Sequence, residues 1–258
     1  MRLQGKFAIV TGAGQGLGRS IAERFAREGA SLILNDVAKG SGRDLPKILR
    51  SSNASVQFVA GDVSRPRVAK QLALTALRSF GRIDILVNNA GIGGSAHGDG
   101  PVTESQEDAW DKILRVNLKS VFLCCRFAIP EMIRGGGGSI INMASVLALV
   151  GSQKHFTSHA YAASKGAIVS LTRAMAVHYA ARKVRVNAIC PGLIDTPLTQ
   201  KSKRDPELMR YVRERQPLVS GMGSANDVAS AVLFLASDEA RLITGAILPL
   251  DAGWSAGV

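Results

Sequence analysis

The stretch Thr11-Gly-Ala-Gly-Gln-Gly-Leu-Gly18 constrains this chain more than any other part of it. It follows a short apolar run, Phe7–Val10, and opens a periodic segment, Ser20–Glu28. Glycines let the backbone approach a bound group closely, and the helix start behind them offers free N–H groups and the positive end of a helix dipole. That combination suits a pyrophosphate, although a tight βα turn alone could also use the glycines. Asp36 ends a second apolar run that begins at Ser31, eighteen residues after Gly18. A carboxylate there can accept hydrogen bonds from an adenosine ribose diol and would repel a 2′-phosphate. Its plainer reading is a helix N-cap or a loop acid.

The same alternation continues along the chain. Apolar runs at Val56–Val59, Ile83–Val87, Ser139–Met143, Val184–Ile189 and Ala246–Leu250 predict five more strands. Periodic segments predict helices near Asp44–Arg50, Val68–Phe80, Glu107–Arg115, Leu118–Ile133, Ala160–Ala180 and Ala225–Leu235. Short strands separated by helices imply βαβ units with right-handed crossovers. The strands are apolar at alternate and intervening positions alike, as in a parallel sheet covered on both faces. With no linker, repeat or break in composition, residues 1–258 read as a single-domain doubly wound α/β protein. It has about seven parallel strands and helices on both faces. The least regular stretch, 193–221, holds three prolines and many charges. Its place late in the sheet predicts a lid over the carboxyl ends of the strands.

Composition narrows the partners. Hydrophobic residues at 46% with charged residues at 20% exclude a disordered chain. No apolar run approaches the ~18–20 residues of a membrane helix, so no membrane partner is expected. Cys124, Cys125 and Cys190 are odd in number and sit among apolar residues, which argues against a disulfide scaffold. A strand starting at Phe7 leaves no room for a signal peptide, and a reduced, cytoplasmic protein is expected. The 32 Lys+Arg against 20 Asp+Glu give a net charge of +12, which raises the question of an anionic partner. Nucleic-acid binding would want a basic stripe interleaved with exposed aromatics. Aromatics are 5% of the chain and most basic residues are dispersed, so none is expected. Lys201, Lys203, Arg204, Arg210, Arg213 and Arg215 do cluster in the lid segment, against Asp205, Glu207 and Glu214. They form either a solvated helix face or an attraction for an anionic substrate or acidic carrier. His155 and His159 are four apart but lack a third ligand, so no metal is expected. Met132, Met143 and Met175 read as core fillers, and Trp110 and Trp254 as packing or interface residues.

Further motifs carry a resemblance. Asn88-Asn-Ala-Gly91 follows the fourth strand, Ser145 ends the fifth, and Tyr161-Ala-Ala-Ser-Lys165 opens the long helix. Pro191-Gly192 follows the sixth strand, with Thr196 four residues on. In this order, with the glycine turn, the chain resembles the classical short-chain dehydrogenase/reductases from Lys6 to Gly253. The resemblance implies a Rossmann-type fold and a catalytic set of Asn117, Ser145, Tyr161 and Lys165. It implies cofactor contacts from Gly12, Gly14, Gln15, Gly16, Leu17 and Gly18 in the turn. Asp36 would hold the ribose, Asp62 and Val63 the adenine, and Asn89, Ala90, Gly91, Tyr161, Lys165, Pro191, Gly192, Ile194 and Thr196 the remainder. Asp36 resembles the acid of NAD-preferring members. Gln15 and Val37 stand where NADP-preferring members often carry basic residues, so NAD is the expected cofactor, with Arg19 and Lys39 near enough to bear on that preference. The family also implies a homotetramer built through the helices Leu118–Ile133 and Ala160–Ala180. One departure stands out: Ser145 and Tyr161 are sixteen residues apart, more than is usual, and the extra length falls within Gly151–His159. That loop should alter substrate preference. Ser139 and Ser152 are poorer candidates than Ser145, since neither sits at a strand's carboxyl end.

The chemistry explains the residue types. Tyr161 and Lys165 share one helix face. A phenol with a pKa of ~10 needs about 2–3 units of lowering to act as a base near neutrality. An ammonium at ~4–6 Å and the positive ring of oxidised nicotinamide can supply it. Ser145 would hydrogen-bond the substrate oxygen, Lys165 would hold the nicotinamide ribose, and Asn117 would place a proton-relaying water. The expected function is therefore NAD-dependent interconversion of a small-molecule secondary alcohol and its ketone. The alternative enzyme is an NADPH-dependent 3-oxoacyl-thioester reductase using the basic lid. Outside enzymes, a non-catalytic dinucleotide-binding regulator or a basic nucleic-acid-binding module remains, and the intact set of four speaks against the regulator.

Overall fold

Residues alternate across the sheet with a period of two, and both sets are buried. Ala8 and Val10 of β1 (Phe7–Thr11) face Ile21 and Phe25 of α1 (Gly16–Arg27), whereas Ile9 faces the opposite layer. Such burial contributes roughly 1.5–3 kcal/mol for each large apolar side chain. The remaining strands are β2 (Ser31–Asp36), β3 (Val56–Ala60), β4 (Ile85–Asn88), β5 (Gly138–Met143), β6 (Val184–Pro191) and β7 (Ile247–Leu250). All are parallel, in the order β3-β2-β1-β4-β5-β6-β7. The order reverses at β1 and β4, where the diverging loops leave a crevice at the carboxyl ends. This computed structural model describes residues 1–37, 42, 44–49, 55–152 and 154–257. Lys39, Arg50 and Gln153 lie outside the described residues.

α2 (Leu45–Leu49) and α3 (Pro66–Phe80) precede β4; α4 (Glu107–Leu114), α5 (Ser120–Arg134) and α6 (His159–Tyr179) follow it. α7 (Gln200–Lys203), α8 (Pro206–Arg215) and α9 (Ala225–Ala236) lie between β6 and β7. One apolar layer joins α1 and α9 to the sheet, and the other joins α3, α5 and α6. Met132, Met143 and Met175 are buried in these layers, as are the three free cysteines. No helix among the described residues is long and apolar enough to cross a membrane.

Two expectations need correction. The helices expected over Glu107–Arg115 and Leu118–Ile133 are one continuous rod, joined by a single π turn at Arg115–Lys119. No glycine, proline or cap interrupts the sequence there, so the helix widens instead of ending; π turns of this kind concentrate at functional sites. Asn117 sits in that turn, fully buried. The stretch 193–221, expected to be the least regular, contains α7 and α8. Asp205 caps α8, accepting from the N–H groups of Glu207 and Leu208 at 3.0 Å each, and Pro206 occupies its first position. Aspartate followed by proline is a strong helix start despite the surrounding charge.

Candidate active site

Sheet register brings the glycine turn and the Asn88–Gly91 loop side by side, because β1 pairs with both β2 and β4. The Thr11 hydroxyl accepts from the N–H groups of Asn89 (3.0 Å) and Ala90 (3.1 Å). The Asn89 amide donates back to the carbonyls of Thr11 and Gly12 at 3.0 Å. These bonds leave no space inside the turn. A Cβ on Gly18 would lie 2.0 Å from the Gly12 oxygen, and one on Gly12 2.9 Å from the Ala90 Cα. Gln15 places no side-chain cap on α1, and the first turn of α1 carries no acid, so no side chain of the helix start takes its leading N–H groups. Asp36, at the end of β2, accepts from the Gly14 N–H at 2.9 Å. Thr11 opens the glycine motif in the sequence, but nothing there marked its hydroxyl as the acceptor that ties the two loops together.

Asp62 and Val63 follow β3. Burial pushes the Asp62 carboxyl up, but hydrogen bonds from Ser64 and the charges of Arg115 and Arg65 outweigh it and hold the group below the usual value. Arg115 approaches Asp62 at 3.2 Å. Two positions on, Asn117 accepts from the Ile92 N–H at 2.8 Å and donates to the Ile92 carbonyl and the Ser164 hydroxyl at 3.1 Å each. A Cβ on Gly91 would lie 3.2 Å from the Asn117 Oδ1 and 3.7 Å from the Lys165 Nζ.

Ser145 stands just beyond β5, where its hydroxyl accepts from the Leu147 N–H at 3.2 Å and borders the Tyr161 phenol. Burial raises the phenol above its ordinary value, and the nearby Ser145 hydroxyl only partly opposes this. Lys165 is buried, donates to the Met143 carbonyl at 2.7 Å, and lies 5.6 Å from the centroid of the Tyr161 ring. Burial lowers its ammonium to about 8. The protein's own groups therefore do not lower the phenol, which is the opposite of what a base at neutral pH needs. Cys190, at the end of β6, is pushed up to about 11 by burial, so it stands beside the set as a neutral thiol. Ser139 is spent on the Leu235 carbonyl, and Ser152 on the Phe156 N–H.

Pro191 ends β6, and Gly192 leads through Ile194 and Thr196 into the lid segment. Here Gln216, which no sequence signal marked, holds the turn. Its Oε1 accepts from the Leu193 N–H at 2.5 Å, and its Nε2 donates to the carbonyls of Leu193 (3.2 Å) and Gly221 (2.6 Å). α8 packs Leu208 and Val212 against Val146, Leu193 and Trp254. The longer loop meets it: Lys154 pairs with Glu207, His155 packs against Tyr211 with tilted rings 4.9 Å apart, and Phe156 reaches Trp254 at 5.4 Å. Trp254 is a packing residue. His159 uses its Nδ1 to accept from the Val102 N–H. Among the described residues no group of three His, Cys, Asp or Glu side chains is placed to hold a metal.

A family model described as enoyl-(acyl carrier protein) reductase matches residues 12–255. The chain is 37% identical to 2,5-dichloro-2,5-cyclohexadiene-1,4-diol dehydrogenase of Sphingobium indicum, over 100% of this chain and 99% of that one. It is 36% identical to 3-oxoacyl-(acyl-carrier-protein) reductase of Thermotoga maritima, over 98% of this chain and 99% of that one. A crystal structure assigned to the short-chain dehydrogenase/reductases from Burkholderia xenovorans superposes with a TM-score of 0.91 at 38% identity, covering 100% of this chain and 99% of that one. The glycine turn, with no room for a side chain at Gly12 or Gly18 and an uncapped helix start behind it, fits the nicotinamide dinucleotide such proteins use. The chain is an oxidoreductase and belongs to the short-chain dehydrogenase/reductase family.

Proposed function

We propose that this chain interconverts a secondary alcohol and a ketone with NAD as cofactor and Tyr161 as general acid/base. The observation that carries the reading is the convergence of Ser145, Tyr161 and Lys165 at the carboxyl ends of β5 and β6, beside the glycine turn. The chemistry supplied by the bound dinucleotide is hydride transfer. The turn from Gly12 to Gly18 would hold its pyrophosphate, Asp36 its adenosine ribose, Asp62 and Val63 its adenine. Lys165, with Asn89, Ala90, Gly91 and the Pro191–Thr196 segment, would hold its nicotinamide half.

Tyr161 Oη keeps its proton in the protein alone, which suits donation to a carbonyl oxygen in reduction. In oxidation it takes the alcohol proton, and the positive charge this needs comes from Lys165 and from the oxidised nicotinamide together. Ser145 orients the substrate oxygen, and Asn117, anchored on Ile92 and Ser164, borders Lys165 across Gly91. NAD is supported by the carboxylates at the ribose end: Asp36 beside the turn, and Glu23 and Asp44 occupying Arg19 at 2.9 and 3.9 Å.

A second reading, reduction of an anionic thioester with NADPH, draws on the lid. Asp195 pairs with Lys203, Glu207 with Lys154, and Asp205 caps α8. Lys201, Arg204, Arg210 and Arg213 make no ion pair among the described residues, which leaves the lid surface cationic. The test follows absorbance of the reduced cofactor with secondary alcohols, cyclic diols and a 3-oxoacyl thioester, using NAD and NADP. Strong NADP preference overturns the Asp36 argument, and near-normal turnover by Tyr161→Phe overturns the acid/base assignment. We further propose assembly as a homotetramer through α5 and α6, which expose Phe122 (47%) and Val177 (83%). A monomer in sedimentation analysis rejects it.

A further inference from the structure

The helix that carries Tyr161 begins without a cap of its own. Ser158, its N-cap residue, makes no side-chain cap bond. An α-helix start leaves N–H groups that need partners. Here the loop after β4 supplies them. The His159 N–H donates to the Gly100 carbonyl at 3.1 Å. The Ala160 N–H donates to Asp99 Oδ1 and the Tyr161 N–H to Asp99 Oδ2, each at 3.0 Å. Asp99 is 6% exposed and also accepts from the Ser105 hydroxyl at 3.3 Å. In return, His159 accepts from the Val102 N–H at 3.0 Å. The joint is closely fitted, since a Cβ on Gly94 would lie 2.3 Å from Asp99 Oδ2 and 2.6 Å from the Ser158 Cβ. The near end of the same loop, Ile92, grips Asn117 through both its N–H and its carbonyl.

We propose that Asp99 is a positioning residue: its carboxylate, bridging the backbone of Ala160 and Tyr161, sets the height of the Tyr161 phenol against Ser145, which stands on the neighbouring strand end. The loop from Ile92 to Val102 then acts as a bracket that spaces Asn117 and Tyr161. A carboxylate is the suitable group, because two N–H donors at adjacent positions need two acceptor oxygens, and a negative charge is favourable at a helix N-terminus. This inference rests on the reading of Tyr161 as the acid/base.

The test titrates Tyr161 directly, by ultraviolet difference between each protein and the same protein carrying Tyr161→Phe, saturated with whichever of NAD and NADP it binds. The groups bearing on the phenol are Ser145 beyond β5, Cys190 on β6, Lys165 on α6 and Asp99 itself. Asp99→Ala and Asp99→Asn should move the titration upward by about one unit, because a displaced helix start carries the phenol away from the Ser145 hydroxyl that lowers it. Loss of a nearby negative charge alone moves it downward, and loss of a merely structural contact does not move it. Either of those results overturns the proposal. Should Asp99→Ala fail to fold, Asp99→Asn keeps the shape and one acceptor oxygen and decides alone. Turnover by Tyr161→Phe is read in parallel: if it persists, the acid/base reading fails, whereas an unmoved titration with an inactive Tyr161→Phe sinks only the role of Asp99.

Discussion

On the β1–β4 side of the crevice the contacts are made by backbone groups and by short side chains fixed to strand ends: Gly12, Gly18, Thr11, Asn89 and Asp36. On the far side they are made by long side chains reaching between loops: Gln216 to Leu193, Lys154 to Glu207, and Phe156 and Tyr211 to Trp254. The first set follows from sheet register, which is shared by every member of a fold. The second follows from how particular loops pack, which differs between members. Tyr161 and Lys165 belong to both, held to the sheet through Met143 and to a loop through Asp99.

The comparison can be broken where the two sides meet. Tyr161→Phe is expected to lower turnover about 10²–10⁴-fold while leaving dinucleotide affinity within a few-fold, read by steady-state rates and by fluorescence titration of the cofactor. Gly18→Ala should cost about 3 kcal/mol or more, because the new Cβ meets the Gly12 carbonyl, which cannot move without breaking its bond to Asn89. Thermal melts should also show that this variant no longer gains stability from the nicotinamide dinucleotide that stabilises the unaltered protein. A full response to the dinucleotide would mean that the turn is more pliable than its packing shows.

On the far side, Gln216→Ala strands the buried N–H of Leu193, whose carbonyl still accepts from the Gly223 N–H at 2.9 Å, and should destabilise by about 1–3 kcal/mol. Its kinetic effect should fall on substrate KM rather than on cofactor affinity. Lys165→Met sets stability against function. The buried ammonium sits at about 8 against the ordinary lysine value of 10.5, so the unfolded chain binds more protons between those values and wild-type stability rises with pH across that window. At pH 7 the charge burial is fully unfavourable. The variant should therefore be inactive yet about 1–3 kcal/mol more stable in denaturant titrations, with the gain shrinking from pH 8 to 10.5. The smallest effect belongs to Lys154→Ala, which breaks an exposed pair with Glu207 and should leave the melting temperature unchanged.

Much of the site was legible because it is local. The turn from Thr11 to Gly18, Asp36 eighteen residues on, and Tyr161 one helical turn before Lys165 are patterns in which spacing alone states the geometry. Asn117 was legible as a residue but not as a π-turn residue, since nothing in Arg115–Lys119 breaks a helix. Asp99 and Gln216 were not legible at all. Each serves backbone groups 62 and 23 residues away, and an aspartate or glutamine in a polar loop has no local signature of such a task.

By itself, then, the sequence determined the alternation of strands and helices and the sheet covered on both faces, which periodicity records directly. The phenol, lysine, serine and asparagine it marked through their resemblance to the motifs of the short-chain dehydrogenase/reductases. Only the tertiary structure decided the state of these groups. Burial keeps the protein's own phenol protonated and lowers the lysine, and the loop after β4 caps the helix that carries both. Desolvation and long-range hydrogen bonds arise when distant segments close on one another, and no window of sequence contains them.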